Sequence, residues 1–178
     1  VDIYGTNYTL SLKNKGVGVL NKEDVFHLSA VGPFARAAGV PIDVRNETED
    51  MLPWKEVGFE VVTENSGDVW ARNMVRLREL YVSMRIIENV INGLPEGDIA
   101  LDFKGFPSGE AINRLEAPRG ELFYYAKGNK TQILERLKIK APTFSNVPSM
   151  VHGFKNNEYA SAPAIIGSYD PCLSCTSR

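Results

Sequence analysis

The sequence predicts an α+β fold in which helix dominates. Three observations carry this reading. One long amphipathic segment occupies about residues 68–92. Two β-rich segments with turn residues between them form a hairpin over about 121–140. Gly 15 and Pro 10, 25 of 178 residues, gather between such segments, so the connections are extensive.

Composition narrows the classes of function. Hydrophobic residues at 43% and charged residues at 24% exclude a wholly disordered chain. Lys+Arg 20 against Asp+Glu 22 leaves a formal charge of −2, with no basic excess to neutralise phosphates, so nucleic acid is not an expected partner. No apolar run approaches the roughly 20 residues of a membrane-spanning helix.

Residues 1–20 are mixed and punctuated by glycine, and are expected to form a loop or an edge. Asn21 is placed to cap a short helix over 22–30, with Asp24 three residues on and Val25 and Leu28 on one face. Segment 31–45 holds two glycines and two prolines and reads as a structured loop. Segment 58–63 has β character in Phe59, Val61 and Val62. In 68–92, apolar residues recur at Trp70, Met74, Leu77, Tyr81, Met84, Ile87 and Ile91, a helical spacing of three and four. Ser66 or Asp68 caps this helix, Gly93 and Pro95 stop it, and it is about 36 Å long. Arg72, Arg76, Arg78 and Arg85 lie off the stripe and are expected on a solvated face, paired with Glu79 and Glu88.

Segment 109–115 is ambiguous. Residues 121–126 read as a strand, Gly128-Asn129 as its turn, and 134–140 as the return strand, with Leu137 and Ile139 alternating against Arg136, Lys138 and Lys140. A further helical turn is expected in 142–154. Segment 160–168 is apolar, rich in small residues, and leads to the terminal Asp-Pro-Cys. No internal boundary is visible, so 1–178 is treated as one unit.

The chemistry concentrates in Cys172-Leu173-Ser174-Cys175. Two thiolates at this spacing can grip one soft metal from one side. Alone, the pair fits a thioredoxin-like redox couple, half a zinc site or half of a redox-metal site. Zinc would need further ligands, and only His27 and His152 offer ring nitrogens, neither at zinc-finger spacing. The redox couple would need a helix after it, and three residues follow Cys175. Upstream, Pro171 pushes Asp170 toward extended geometry. A carboxylate beside thiolates needs a cation partner. Arg119, in the stiff Ala117-Pro118-Arg119-Gly120 loop, is the candidate. His27 and His152 are expected to be packed or exposed residues, and Asp68, Glu79 and Glu116 to be structural.

The ending Asp-Pro-Cys-Leu-Ser-Cys-Thr-Ser-Arg resembles the carboxyl-terminal DPCxxC motif of [NiFe]-hydrogenase large subunits. LEAPRGELFYY (115–125) is similar to the family's EAPRG segment. GPFARAAGVPIDVR (32–45) and GDVWARNMVRLRELYVSMRIIE (67–88) resemble the branch shared with the 49 kDa (NuoD-type) subunit of respiratory complex I. Together they point to the group 4 membrane-bound, energy-converting hydrogenases. The resemblance implies that Cys172 is a terminal nickel ligand and proton acceptor, and that Cys175 bridges nickel and iron. It further implies that Arg119 stands over the open metal position, that Asp170 orients it, and that Pro118 lines the pocket around the diatomic ligands. The implied cofactor is a Ni–Fe(CN)2(CO) centre, with [4Fe-4S] clusters in partner subunits only.

The family's first cysteine pair, in an RxCGxC context, does not occur in this sequence. Two thiolates cannot complete a four-thiolate site, so this polypeptide alone is expected to be inactive. It is expected to be the carboxyl-terminal part of a large-subunit domain completed by an amino-terminal half. The ending at Arg178 fits a processed product of the family. The implied partners are that half, a small iron–sulfur subunit, membrane subunits and, indirectly, ferredoxin. The implied location is the peripheral arm of a complex on the cytoplasmic face of the cell membrane. The implied reaction is proton reduction to H2 or its reverse. The alternatives are a complex I-like structural or coupling subunit without nickel, and a related sulfur-reducing oxidoreductase subunit.

Overall fold

The computed structural model describes residues 2–47, 53–100, 102 and 104–176. Arg178, the expected processed end, lies outside them. Five short helices come first: α1 (Asp2–Thr6), α2 (Tyr8–Asn14), α3 (Lys22–His27), α4 (Pro33–Ala37) and α5 (Val44–Glu47). The long helix α6 (Val69–Asn92) follows. Strands β1 (Ser108–Ala117), β2 (Gly120–Asn129) and β3 (Arg136–Lys140) form one antiparallel sheet in that order. Helices α7 (Pro142–Gly153), α8 (Ala162–Tyr169) and the single turn α9 (Leu173–Thr176) complete the order. No helix among the described residues is long and apolar enough to cross a membrane.

Two caps act as the sequence indicates. Asn21 accepts a hydrogen bond from Asp24 N while the Asp24 carboxylate accepts one from Asn21 N, closing a capping box on α3. Asp68 caps α6 by accepting from Ala71 N at 2.7 Å, and its second oxygen accepts from Gly16 N at 2.8 Å. One carboxylate thus starts the helix and anchors the amino-terminal segment.

The core lies where α3, α4, the first turns of α6, and α8 converge. Leu20, Val25, Phe34, Ala35, Val69, Ile165 and Tyr169 are buried there. Small residues Ala37, Ala71 and Val75 let α4 lie close against α6. Near Gly67 (φ 62°) the chain passes so close to the Leu20 carbonyl that no Cβ fits.

The structure corrects several expectations. Residues 1–20 carry α1 and α2 rather than a loop, and α2 is capped by Asn7. Segment 31–45 contains α4, because Pro33 sits in the first helical turn, where a missing N–H costs nothing. Segment 58–63 forms no strand. The ambiguous segment 109–115 belongs to β1, so the predicted hairpin is the β2–β3 half of a three-stranded sheet. Gly128 and Asn129 pair with β1, and the turn falls after them, with Lys130 at φ 65°. The single turn expected in 142–154 is a twelve-residue helix, and 160–168 holds α8.

The predicted stripe of α6 packs inward only in its first half, where Met74 is buried and Trp70 and Leu77 are half-buried. Val69, Ala71, Arg72, Met74, Val75 and Val82 are buried, whereas Tyr81, Met84, Ile87 and Ile91 are more than half exposed. Arg72 is fully buried, against the expectation of a solvated face. Arg78 and Arg85 are exposed, but they pair with Glu64 and Glu60 rather than with Glu79 and Glu88.

Candidate functional site

Helix α8 delivers the terminal motif, and its last turn is held on three sides. The Tyr169 ring stacks on Phe34 at 4.6 Å, and its hydroxyl donates to Ser149 O at 2.9 Å. The Arg72 guanidinium lies 4.7 Å from that ring, and Arg72 Nε donates to Ser168 Oγ at 2.9 Å. Arg72 Nη1 also donates to the carbonyls of Gly18 and Gly67 at 2.9 and 2.7 Å. A buried arginine therefore ties α6, two loops and α8 into one piece.

Asp170 ends α8 in the left-handed conformation, φ 46° and ψ 54°, and its N–H donates to the carbonyls of Ile166 and Gly167. Pro171 by itself favours an extended Asp170. The helix C-cap prevails, because an αL residue satisfies the last carbonyls and aspartate tolerates that conformation.

Arg119 stands on the two-residue turn between β1 and β2, where Ala117 pairs with Gly120. Its Nη2 lies 2.8 Å from Asp170 Oδ2, and its Nε donates to the Asp170 carbonyl. The turn is clamped from behind. Gly120 (φ 126°) and Gly32 (φ 70°) face each other so closely that a Cβ on either would collide with the other strand of chain. The buried Asn146 of α7 accepts from Val31 N at 3.0 Å and donates to Val31 O and Arg119 O at 3.3 and 3.2 Å. Asn146 thus fixes the backbone from which the guanidinium projects.

Cys172 N donates to Thr143 Oγ1 at 3.3 Å, at the start of α7, and Cys175 N donates to Cys172 O at 3.1 Å. The Cys172 and Cys175 thiols lie within hydrogen-bonding reach of each other. The Cys172 thiol is pushed down to about 7 by hydrogen bonds from the Cys175 thiol and the Ser174 hydroxyl, with a smaller pull from the Arg119 charge. Cys172 Sγ lies 3.1 Å from Ser174 Oγ. Cys175 lines a small cavity of about 210 Å³ with Pro118, Arg119, Leu122 and Tyr124.

Pro118 also borders a second, larger cavity of about 480 Å³, whose walls include Arg36, Arg76, Glu79, Glu116 and Asp170. Beside it lies a buried ionic cluster. Arg36 pairs with Asp43 at 3.0 Å, Glu79 at 2.8 Å and Glu116 at 2.8 Å. Arg45 holds Asp43 from the other side at 2.7 Å. Burial pushes the Glu79 and Glu116 carboxyls up, against the pull of Arg36. Glu116 Oε2 also accepts from Val44 N, so the cluster locks the end of β1 two residues before Pro118.

The structure therefore brings Cys172, Cys175, Pro118, Arg119 and Asp170 to one place. His27 is exposed and His152 lies 3.5 Å from Asp24, so neither joins them. Among the described residues no group of three or more His, Cys, Asp or Glu could hold a metal ion. Two thiolates fit half of a soft-metal site and no more. Sequence reasoning missed Arg72, Thr143, Asn146 and Tyr169. The available signal was a polar Thr and Asn in an otherwise apolar helical segment, and an arginine close to the long helix's cap.

The family profile described as respiratory-chain NADH dehydrogenase, 49 kDa subunit, matches residues 2–106 and 102–178. The chain is 36% identical to the carbon monoxide-induced hydrogenase of Rhodospirillum rubrum over 100% of its own length and 49% of that protein's. It is also 36% identical to a subunit of the NADH-quinone oxidoreductase of Dehalococcoides mccartyi, over 94% of this chain and 46% of the relative. Among solved structures it is similar to a chain of the membrane-bound sulfane sulfur reductase, an archaeal respiratory membrane complex. The TM-score is 0.90 and the identity 28%, over 99% of this chain and 50% of that one. The chain spans about half the length of the relatives it matches.

Proposed function

From the premise that this chain belongs to the family of the respiratory-chain NADH dehydrogenase 49 kDa subunit, we propose that it is the carboxyl-terminal part of a catalytic large subunit. The enzyme we propose is a group 4 membrane-bound [NiFe]-hydrogenase. The observation that carries this reading is the sulfur pair Cys172/Cys175 facing Arg119, which is held to Asp170 at 2.8 Å across 51 residues of chain. Hydrogenase-named relatives support it.

In this reading Cys172 and Cys175 hold a Ni–Fe(CN)2(CO) centre from one side, and an RxCGxC pair on the amino-terminal half holds it from the other. When bound, the centre supplies the redox-active metals at which H2 is formed or split. The chain's own residues do the rest. Cys172 Sγ accepts or returns a proton. Arg119 contributes a fixed positive charge and hydrogen-bond donors, and it does not titrate near neutral pH. Asp170 holds the Nε–Nη2 edge of Arg119 and so fixes the guanidinium plane in one orientation. An exposed ion pair of this kind contributes at most about 1 kcal/mol to stability, so its value lies in placement. Pro118, with Leu122 and Tyr124, forms the apolar wall of the small cavity that Cys175 lines. Electrons come from ferredoxin through [4Fe-4S] clusters of a small partner subunit. Membrane subunits anchor the whole on the cytoplasmic face.

Metal analysis of the intact complex tests the reading. Nickel and iron in equal amounts, with infrared bands of CO and cyanide, support it. Cys172→Ser should abolish H2 turnover, and survival of turnover would remove Cys172 as a ligand. The likeness to the sulfane sulfur reductase supports a second reading, reduction of sulfur species at the same sulfur pair. A complex that reduces polysulfide but evolves no H2 would favour it.

A further inference from the structure

One charged group near the site leaves two buried donor atoms without a hydrogen-bond partner among the described residues. Arg76, one turn after Arg72 on α6, turns its guanidinium toward Phe34, 5.5 Å from the ring centroid, at the wall of the 480 Å³ cavity. Its Nε and Nη2 atoms are buried and make no hydrogen bond among the described residues. Burial is the main influence on this group, pushing it down to about 10, with Asp170 and Glu79 pulling the other way. It is therefore still a cation at neutral pH. Neither acid bonds to its Nε or Nη2: Asp170 pairs with Arg119, and Glu79 with Arg36.

Leaving a buried charged donor unpaired is costly. Nε–H and Nη2–H lie on one edge of the guanidinium and point in parallel, which matches the two oxygens of a carboxylate. The cavity has apolar walls in Leu77, Leu80 and Pro118, and Leu80 is 59% exposed. Farther along the same helix Met84 and Ile87 are also more than half exposed. Such a setting suits a protein surface that brings its own acid better than a hydrated free anion.

We infer that the Nε–Nη2 edge of Arg76 receives the carboxylate of an Asp or Glu from the amino-terminal half of the large subunit, which seats that half over the cavity beside Pro118 and Asp170. This rests on the reading of the chain as part of a larger subunit, since the polypeptide spans about half the length of its relatives. It does not depend on which metal is held.

The test uses the intact complex. A structure of the native assembly should show an Asp or Glu carboxylate from outside residues 1–178 within hydrogen-bond distance of Arg76 Nε or Nη2. A water, a backbone carbonyl or a free anion in that position overturns the inference. Independently, Arg76→Lys should introduce an amine that a zero-length carbodiimide couples to that acid. The cross-linked peptide should be absent from the native complex and lost again when the acid is changed to its amide. No cross-link, or one only to Asp170 or Glu79, overturns the inference. Nickel content reads the parent proposal separately. A nickel-loaded complex with no carboxylate at Arg76 sinks this inference alone, and a nickel-free complex with that carboxylate in place sinks the parent proposal alone.

Discussion

At the scale of single residues, Cys172 is the most distinctive group. Its thiol is lowered from the ordinary value of 9.0 to about 7, first by the Cys175 thiol and then by the Ser174 hydroxyl. The reactive form is the thiolate, which dominates above the pKa and disappears below it. Alkylation of the metal-free chain by iodoacetamide should therefore rise through a midpoint near pH 7. Ser174→Ala removes a stabilising donor, so its midpoint should move toward higher pH. A wild-type midpoint at or above 9 would show that the one-turn helix does not bring the sulfurs together in solution. Arg119 makes a different prediction. Lysine keeps the charge but cannot reach Asp170 Oδ2 and the Asp170 carbonyl with one planar fork. Arg119→Lys should retain nickel in the assembled complex and lose at least about tenfold in H2 turnover, on the order of 1.4 kcal/mol in the barrier. Near-normal turnover would take Arg119 out of the mechanism.

At the scale of elements, the site depends on two joints. The first is the contact between Gly32 and Gly120. A methyl group at Gly120 would meet Val31 Cγ2 at 2.7 Å and Gly32 N at 2.9 Å, at a φ of 126° that strains any other residue. Gly120→Ala should destabilise the chain by about 2–4 kcal/mol, read by denaturant unfolding, and should lower turnover by shifting Arg119. An unchanged midpoint would mean the turn sits away from the 31–32 loop. The second joint is Arg72. Arg72→Met removes the buried charge but strands the carbonyls of Gly18 and Gly67, and should cost about 2–4 kcal/mol in the same unfolding measurement. Legibility follows the same division. The caps Asn21 and Asp68 were readable because capping is local, and the β2–β3 pair because alternation is local. Strand β1 was not, since its outer half is exposed and its sequence shows no alternation. Helices α4 and α8 were hidden by prolines that occupy their first turns. Asn146 and Arg72 act across 115 and 96 residues of sequence, and no local pattern encodes such partners.

For the whole molecule, the phase of α6 is the informative departure. Its apolar stripe is real, but along the outer half it faces solvent at Tyr81, Met84, Ile87 and Ile91. Periodicity marks a covered face without saying what covers it. This chain by itself should bind a hydrophobic dye and self-associate in size-exclusion chromatography. Changing Ile87 and Ile91 to Glu should reduce both effects and weaken incorporation into the complex. A dye-silent monomer would show that the stripe is satisfied within the chain. The left-handed residue at the end of α8 has a consequence of its own. Asp170 serves at once as a chain-reversing hinge and as a counter-ion, and chemistry can separate the two. Asp170→Gly keeps the reversal and deletes the carboxylate, whereas Asp170→Ala penalises both. The gap in turnover between these two variants measures how much the direction of the sulfur-bearing tail matters when its electrostatic tether is already gone.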